Sequence, residues 1–481
     1  MEPKPTLFNF LHDTLVQQIV SGRIAYGEKL PPLRALCDIY HVGIRTVRDV
    51  MDALVKEGYV EAVQRSHIKA AYRMTADDEQ QAEMMLTRRD KVCAILKILA
   101  YIMPPIYAEA SRHCDPQVLR ACRDDIEGMN ELNTKEQWRK SVVPLQRIKS
   151  VFHNDLLQDL CADFDLSAQI MLIPGFENPY KELSANGERA FHCFFDCISS
   201  QDYDGIYAFI SNMYHKSARL SDQYFDEIAS AFSLEKPQQE AYFWNAEKGR
   251  LKTHTQVTRS IIQKISMGVY GEGTYLPTCS QLCKEYNISA YTVGKVMESM
   301  EKIGLVRKMN LRGGYLVTRE NAHTRQFVIK GSTSTSEAMT FLSAVHLLAL
   351  ISKGTAMIAL EYMEQETVEF LWEKVKKRNA LEMSNSLLAA LIGIQPYQPL
   401  KNVYEQLEKL VNWGCYYAFA YNDTADFNLL QEKSREAVQR LYGGDRVGFA
   451  DTVQSMYYYI FHTIQKILLD FGVEEALRIK L

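Results

Sequence analysis

The stretch Leu30–Val60, LPPLRALCDIYHVGIRTVRDVMDALVKEGYV, returns as Leu276–Val306, LPTCSQLCKEYNISAYTVGKVMESMEKIGLV. A fixed offset of 246 residues aligns the two without a gap and leaves twelve of 31 positions identical, among them Leu30/Leu276, Pro31/Pro277, Leu36/Leu282, Tyr40/Tyr286, Thr46/Thr292, Val47/Val293 and Gly58/Gly304. A repeat at one large, constant spacing constrains the domain plan more than composition does, because what one copy folds into the other must fold into as well. Length alone (481 residues) suggests about three domains. The repeat makes it four.

Each copy is punctuated as two short helices and a hairpin. Leu-Pro opens the first helix, with Pro31 or Pro32 tolerated in its first turn because no intrahelical N–H is missed there. That helix runs to Tyr40, and a tight turn follows (His41-Val42-Gly43; Asn287-Ile288-Ser289). Ser289 is a good N-cap for the next helix and Gly43 a tolerable one. Val47, Val50, Met51 and Leu54, matched by Val293, Val296, Met297 and Met300, fall at helical spacing. Gly58 and Gly304 end that helix where a left-handed residue is wanted, and Val60 and Val306 open β-type stretches. Leu7–Gly22 supplies a preceding helix with Leu7, Phe8, Leu11, Leu15, Ile19 and Val20 on one face. The sum is a winged helix-turn-helix, whose second helix presents its first turn to a DNA major groove.

Both copies resemble the DNA-binding domain of the GntR family of bacterial transcription regulators. Copy one carries the resemblance in Ile19, Gly22, Gly27, Leu30-Pro31, Arg34, Leu36, Val42, Thr46-Val47-Arg48, Leu54 and Glu57-Gly58. Copy two carries it in Ile265, Gly268, Gly273, Leu276-Pro277, Leu282, Ser289, Thr292-Val293, Gly304 and the wing Arg312-Gly313-Gly314-Tyr315. The resemblance implies DNA contact by Arg34, Arg45, Thr46, Arg48 and Arg65 in the first unit. In the second it implies contact by Tyr291, Thr292, Lys295, Arg312, Gly313 and Gly314. The copies have diverged: the first wing (Gln64-Arg65-Ser66-His67) lacks glycines, while Ser280 and Gly294 stand where Arg34 and Arg48 stand. Two unlike readers imply an asymmetric double-stranded operator.

Net charge is −4, which by itself disfavours a nucleic-acid partner. Its distribution favours one: residues 1–75 carry +2 and residues 250–320 carry +6, leaving −12 elsewhere. Basic readers on acidic bodies suit a chain that meets phosphate through one face. Hydrophobic content of 47% and charged content of 24% are those of a globular protein. MEPKPTLFNFLHD has no signal-peptide core, and the longest clean apolar run, Leu387–Ile394, is too short to span a bilayer. These point to a cytoplasmic chain with no membrane partner. Ten cysteines without a CxxC pair read as small buried residues in a reducing compartment, although Cys193/Cys197 and Cys279/Cys283 have the spacing of a metal pair.

The expected fold is mainly α: winged domains at 1–75 and 250–320, helical bundles at 82–235 and 335–481, together a pseudo-dimeric tandem repeat. In the first bundle, Lys91–Tyr107 (with a Pro104-Pro105 break), Asp115–Met129, Thr134–Phe164, Gly187–Ser200 and Tyr203–Leu220 show helical periodicity. Thr75–Gln81 and residues 233–250 read as polar linkers, and Gly331–Ser336 as a flexible joint. An all-helical body resembles the FadR-type branch of the family, whose bundle binds a small molecule. Val151-Phe152-His153 and Arg189-Ala190-Phe191-His192, then Asp204 and His215, resemble the segments that in many members hold a divalent metal.

Lys149 stands where those members place a carboxylate. Three readings therefore stay open for Lys149, His153, His192 and His215. One is a metal held by His153, His192 and His215, the second a metal-free pocket in which Lys149 or Arg147 pairs an organic acid, and the third core histidines satisfied by hydrogen bonds. None of these histidines recurs in the second bundle, where Ser384 falls in register with His153. The cluster Trp413, Tyr416, Tyr417, Phe419 and Tyr421 reads as core or interface.

No P-loop, nucleophile elbow, HExxH or carboxylate pair is present, so the chain is not read as an enzyme. The reading is a ligand-controlled DNA-binding transcription regulator without an assured cofactor, the association of two chains into a homodimer being left open. The alternative is a winged-helix scaffold that has drifted from DNA and binds proteins.

Overall fold

A computed structural model of the chain describes residues 7–20, 24, 26–40, 42–63, 67–72, 78–132, 134–173, 175–184, 187–247, 253–266, 268–302, 304–309, 314–318, 332–376, 387, 389–411 and 424–481. In the first repeat, helices α1 (Leu7–Val20), α2 (Leu33–Tyr40) and α3 (Ile44–Lys56) precede strands β1 (Val60–Val63) and β2 (His67–Ala70). The strands pair antiparallel, Val60 opposite Ala70, and Lys29 adds a bridge to Lys69. Leu11, Leu15 and Ile19 of α1 are buried with Val47, Val50, Met51 and Leu54 of α3 in one core. Their spacing of three and four residues keeps each set on one helix face. Gly58 lies at φ +82° and Gly304 at φ +74°, the left-handed exit that a side chain would strain.

The second repeat gives α12 (Thr253–Ser266), α13 (Cys279–Tyr286), α14 (Ala290–Lys302), β3 (Val306–Met309) and β4 (Gly314–Val317), with Val306 opposite Val317. The prolines lie ahead of the helices, not in their first turns. In α13 the start is set by Thr278, whose hydroxyl caps the Gln281 N–H while the Gln281 side chain returns to the Thr278 N–H. At α2 the Pro32 carbonyl accepts from the Leu36 N–H at 3.0 Å.

Most of the other described residues are helical, and the fold is mainly α, with two small two-stranded sheets among the described residues. After the first repeat come α4 (Asp78–Leu86), α5 (Arg89–Ser111), α6 (Pro116–Ile126), α7 (Thr134–Ser150), α8 (Asp155–Ser167), α9 (Lys181–Ser184), α10 (Gly187–Ser200) and α11 (Tyr203–Ala231). After the second come α15 (Ser332–Tyr362), α16 (Gln365–Lys376), α17 (Gln398–Val411), α18 (Thr424–Tyr442) and α19 (Arg446–Asp470).

Sequence expectation and structure part at five further places. Thr134–Phe164 is two helices, α7 and α8, because His153 adopts φ +51° and the Asn154 side chain caps the N–H groups of Leu156 and Leu157. Pro104-Pro105 does not break α5, which continues to Ser111. Ser332 opens α15 where a flexible joint was expected, and α4 begins inside the first expected linker.

The fifth difference is residues 234–245, read as a polar linker and found as an ordered strap. Its backbone has no regular structure, yet Tyr242 and Trp244 are buried. The Tyr242 hydroxyl donates to Asp163 at 2.6 Å, the Trp244 indole N–H to Asp159 at 3.2 Å, and the Trp244 backbone N–H to Asn402 at 2.8 Å. Lys91 pairs with Glu240 on the same strap. The strap thus joins α8 to α17 across the two halves.

α5 and α15 occupy equivalent places in the two halves and pack against each other at the centre, each backed by its own late helix, α11 and α19. Both are long and apolar enough to cross a membrane, but 89% and 83% of their apolar windows is buried inside the fold, so they are core helices here. The first winged unit keeps a separate core, whereas the core of the second is continuous with that of both bundles.

Polar ties cross the central seam. The Asn154 amide donates to the Ser343 carbonyl at 2.9 Å and lies 2.9 Å from His346 Nδ1, while His346 Nε2 is 2.8 Å from the Lys480 carbonyl. Burial pushes the His346 pKa down to about 3, so the ring is neutral in the folded chain and freely titrates near 6.5 when unfolded. Protons therefore favour the unfolded state: this group's contribution is whole above about pH 6.5 and is lost as pH falls toward 3. The urea midpoint of the wild type is expected to drop over that window. His346→Gln, which keeps a donor and an acceptor without a titrating ring, should flatten the drop; an unchanged slope would remove His346 as its source.

Candidate nucleic-acid interface

In the first unit, α3 turns its apolar residues inward and leaves its opening turn to solvent. Arg34 on α2 and Arg45 and Arg48 on α3 are exposed, Thr46 is half-buried, and Ile44 beside them is 41% exposed. None of the three guanidinium groups makes a hydrogen bond or ion pair with a described residue, and the turn is not covered by neighbouring protein. By contrast His12 on α1 binds Glu57 at 2.7 Å, tying α1 to the residue just past α3. Unpaired arginines at the N-terminal end of such a helix keep their full donor fork for an incoming acceptor.

The second unit holds the same frame with different tips. Ser289 caps α14 through the Thr292 N–H at 3.2 Å, which half-buries Thr292 at the cap. Tyr291 is 76% exposed. Lys295 lies with its ammonium 5.9 Å from the Tyr291 ring centre and 3.2 Å from Glu298. Gly314 has an ordinary φ; a Cβ there would come within 3.0 Å of the Tyr275 ring, so this wing glycine serves close approach. Arg65, Arg312 and Gly313 lie outside the described residues. Arg307 and Lys308 on β3 are exposed and were missed in the sequence, although two adjacent cations on a short wing strand, one on each face, were the signal there.

Both winged units match the family model of the gntR family of bacterial regulatory proteins, over residues 8–69 and 253–316. Each winged unit is a GntR-family domain. No curated protein matches the sequence. Among solved structures, E. coli McbR/YncC is similar at 18% identity over 46% of this chain and 99% of that one, with a TM-score of 0.25. A GntR protein of Streptococcus agalactiae gives 12%, 44%, 99% and 0.21 for the same quantities. Lar, described as controlling the expression of the Listeria monocytogenes agr system, gives 14%, 45%, 98% and 0.21. The assignment rests on the two family matches.

The bundle residues fare differently. The structure does not bring His153, His192 and His215 together. His153 is exposed in the turn before α8, His192 lies 3.2 Å from an Arg123 nitrogen, and His215 is exposed on α11 with Nδ1 2.9 Å from the Ser211 carbonyl. Among the described residues no group of three His, Cys, Asp or Glu could hold a metal ion.

Lys149 is buried inside the bundle, its ammonium 5.9 Å from the centre of the Tyr107 ring. Burial opposes its charge, but Cys161, Asp165 and Tyr214 around it outweigh that and hold its pKa above the usual lysine value. This internal cation sits where a metal would need anionic ligands, so the residues present do not fit the group. Arg147 is engaged by Asp125 through two hydrogen bonds of 2.9 and 3.1 Å. Trp413, Tyr416, Tyr417, Phe419 and Tyr421 lie outside the described residues, as does Ser384.

Proposed function

We propose that this chain is a ligand-controlled, sequence-specific transcription regulator that binds one operator with two unequal readers. The observation that carries the reading is the solvent-facing opening turn of α3, where Arg45 and Arg48 are exposed and have no partner among the described residues. Family members that act as dimers join two chains; here the α5–α15 seam joins two halves of one chain. Readers set one helical turn apart on DNA would be about 34 Å apart. Arg45 and Arg48 are the base readers of the first unit, and Arg34, Arg65, Arg312 and Lys295 anchor phosphates.

Control by a small molecule belongs to this reading. A crevice of about 370 Å³ opens between the first winged unit and α7, lined by Leu15, Gln18, Lys29, Tyr40, Val142 and Gln146 among others. Its size is within the range of small-molecule sites, and an occupant there touches reader and bundle at once. Lys149 remains the interior candidate for an organic acid, with its charge already answered by its neighbours. Such a ligand acts only through a difference in affinity for two arrangements of the readers.

Arg45→Ala combined with Arg48→Ala is expected to abolish sequence preference in a gel shift, each Arg–guanine pair carrying about 1–3 kcal/mol of discrimination. Intact preference would discard the assignment. A protein-binding scaffold is separated by salt: phosphate contacts give a log–log slope of about −0.9 for each contact, while a scaffold gives no duplex binding to titrate.

A further inference from the structure

We propose that Tyr291 is the base-reading side chain of the second unit and that it reads a thymine through its 5-methyl group. This rests on the proposed DNA-binding function and adds the chemistry of one half-site.

The two recognition helices align residue for residue, and on the outer edge of their opening turns the side chains have changed kind. Arg45 is matched by Tyr291, Arg48 by Gly294, and Asp49 by Lys295. The first turn of α14 therefore offers small or capped residues (Ala290, Thr292, Gly294) around one large ring. Gly294 is exposed, and a Cβ there would meet nothing within 4 Å, so open space flanks the ring on its own helix. Tyr291, at 76%, is the most exposed large hydrophobic side chain among the described residues. Lys295 sits over its ring and is itself held by Glu298 at 3.2 Å, which leaves that lysine less free than the arginines of α3.

The N-terminal residues of a recognition helix are those that reach base edges. In the major groove a guanine is met by paired N–H donors, and the one apolar group on any base edge is the thymine methyl. A guanidinium fork at position 45 suits the first edge. An aromatic ring at position 291, with no donor fork beside it on the described helix, suits the second. The operator is then unlike in its halves by chemistry: guanine under α3, thymine under α14.

The test uses the full-length protein and the duplex it selects from a random pool, with each thymine replaced in turn by deoxyuridine, which removes only the methyl. Losing one buried methyl is worth about 0.8 kcal/mol, so one position in one half-site should weaken binding about fourfold. Tyr291→Ala should bind about as weakly to both duplexes and so lose the difference. Tyr291→Phe should keep it, since the ring and not the hydroxyl makes the contact. Tyr291 is exposed, so these variants are expected to fold.

Insensitivity of the wild type at every thymine would overturn the inference while leaving DNA binding intact. So would loss of the effect in Tyr291→Phe, or a guanine in that half-site whose recognition is lost in Lys295→Ala but kept in Tyr291→Ala. Failure to select any duplex would instead remove the function on which the inference stands.

Discussion

Trp244→Ala is expected to destabilise the folded chain by about 3–5 kcal/mol, read as a lower denaturant midpoint. Trp244 is 2% exposed and lies in a segment with no helix or strand to hold it, so its position depends on side-chain anchoring. The indole fills space within the continuous core, its N–H reaches Asp159 on α8, and its own backbone N–H is taken by Asn402 on α17. Truncation leaves a cavity the size of an indole between two halves, and neither side can collapse without shifting a helix. Phe243, the neighbour pointing to solvent at 61% exposure, is the internal comparison: Phe243→Ala should change stability by no more than about 0.5 kcal/mol. Equal, small effects at both positions would mean that the strap is an ordinary linker.

That strap also shows what the sequence could and could not disclose. Residues 233–250 are rich in Glu, Gln and Lys, and composition reads such a stretch as solvated. Three consecutive aromatics, Tyr242-Phe243-Trp244, were the contrary signal, but which acids two of them would meet depends on folding of residues about 80 positions away. The winged units were legible because their determinants are local: Gly58 and Gly304 take left-handed φ, and Ser289 caps its own helix. Local signals were also overlooked. Asn154 before Asp155-Leu156-Leu157 is an N-cap in plain view, yet the apolar periodicity of α7 runs through it into α8 and hid the break. The resulting left-handed turn turns His153 outward, which is why spacing along the chain gave a histidine trio that space does not assemble. On the reader surface, residue type sufficed for Arg45, Arg48 and Tyr291, since only exposure had to be added.

Gly354→Ala is expected to disrupt the central seam, at or above the upper end of the roughly 1–3 kcal/mol that overpacking usually costs. A Cβ at position 354 would fall on the Tyr101 carbonyl oxygen and within 2.7 Å of Ile102 Cα, and backbone cannot rotate aside as a side-chain tip can. The reason lies in the double proline. In a helix the Tyr101 carbonyl should accept from the N–H of residue 105, but that residue is Pro105, which has none and whose ring crowds the same oxygen. α15 brings a glycine against that carbonyl, where a Cα–H can face the oxygen. The pair Pro105 and Gly354 is therefore one feature, shared between the halves. Gly393 supplies the control: it is exposed, and a Cβ there would meet nothing within 4 Å. Gly393 is the last residue of its helix and has no left-handed φ, so Gly393→Ala should stabilise by about 0.4–1 kcal/mol through the unfolded chain. Opposite signs at the two glycines, measured by urea unfolding, are the expected result. A neutral Gly354→Ala would show that the two helices can slide apart.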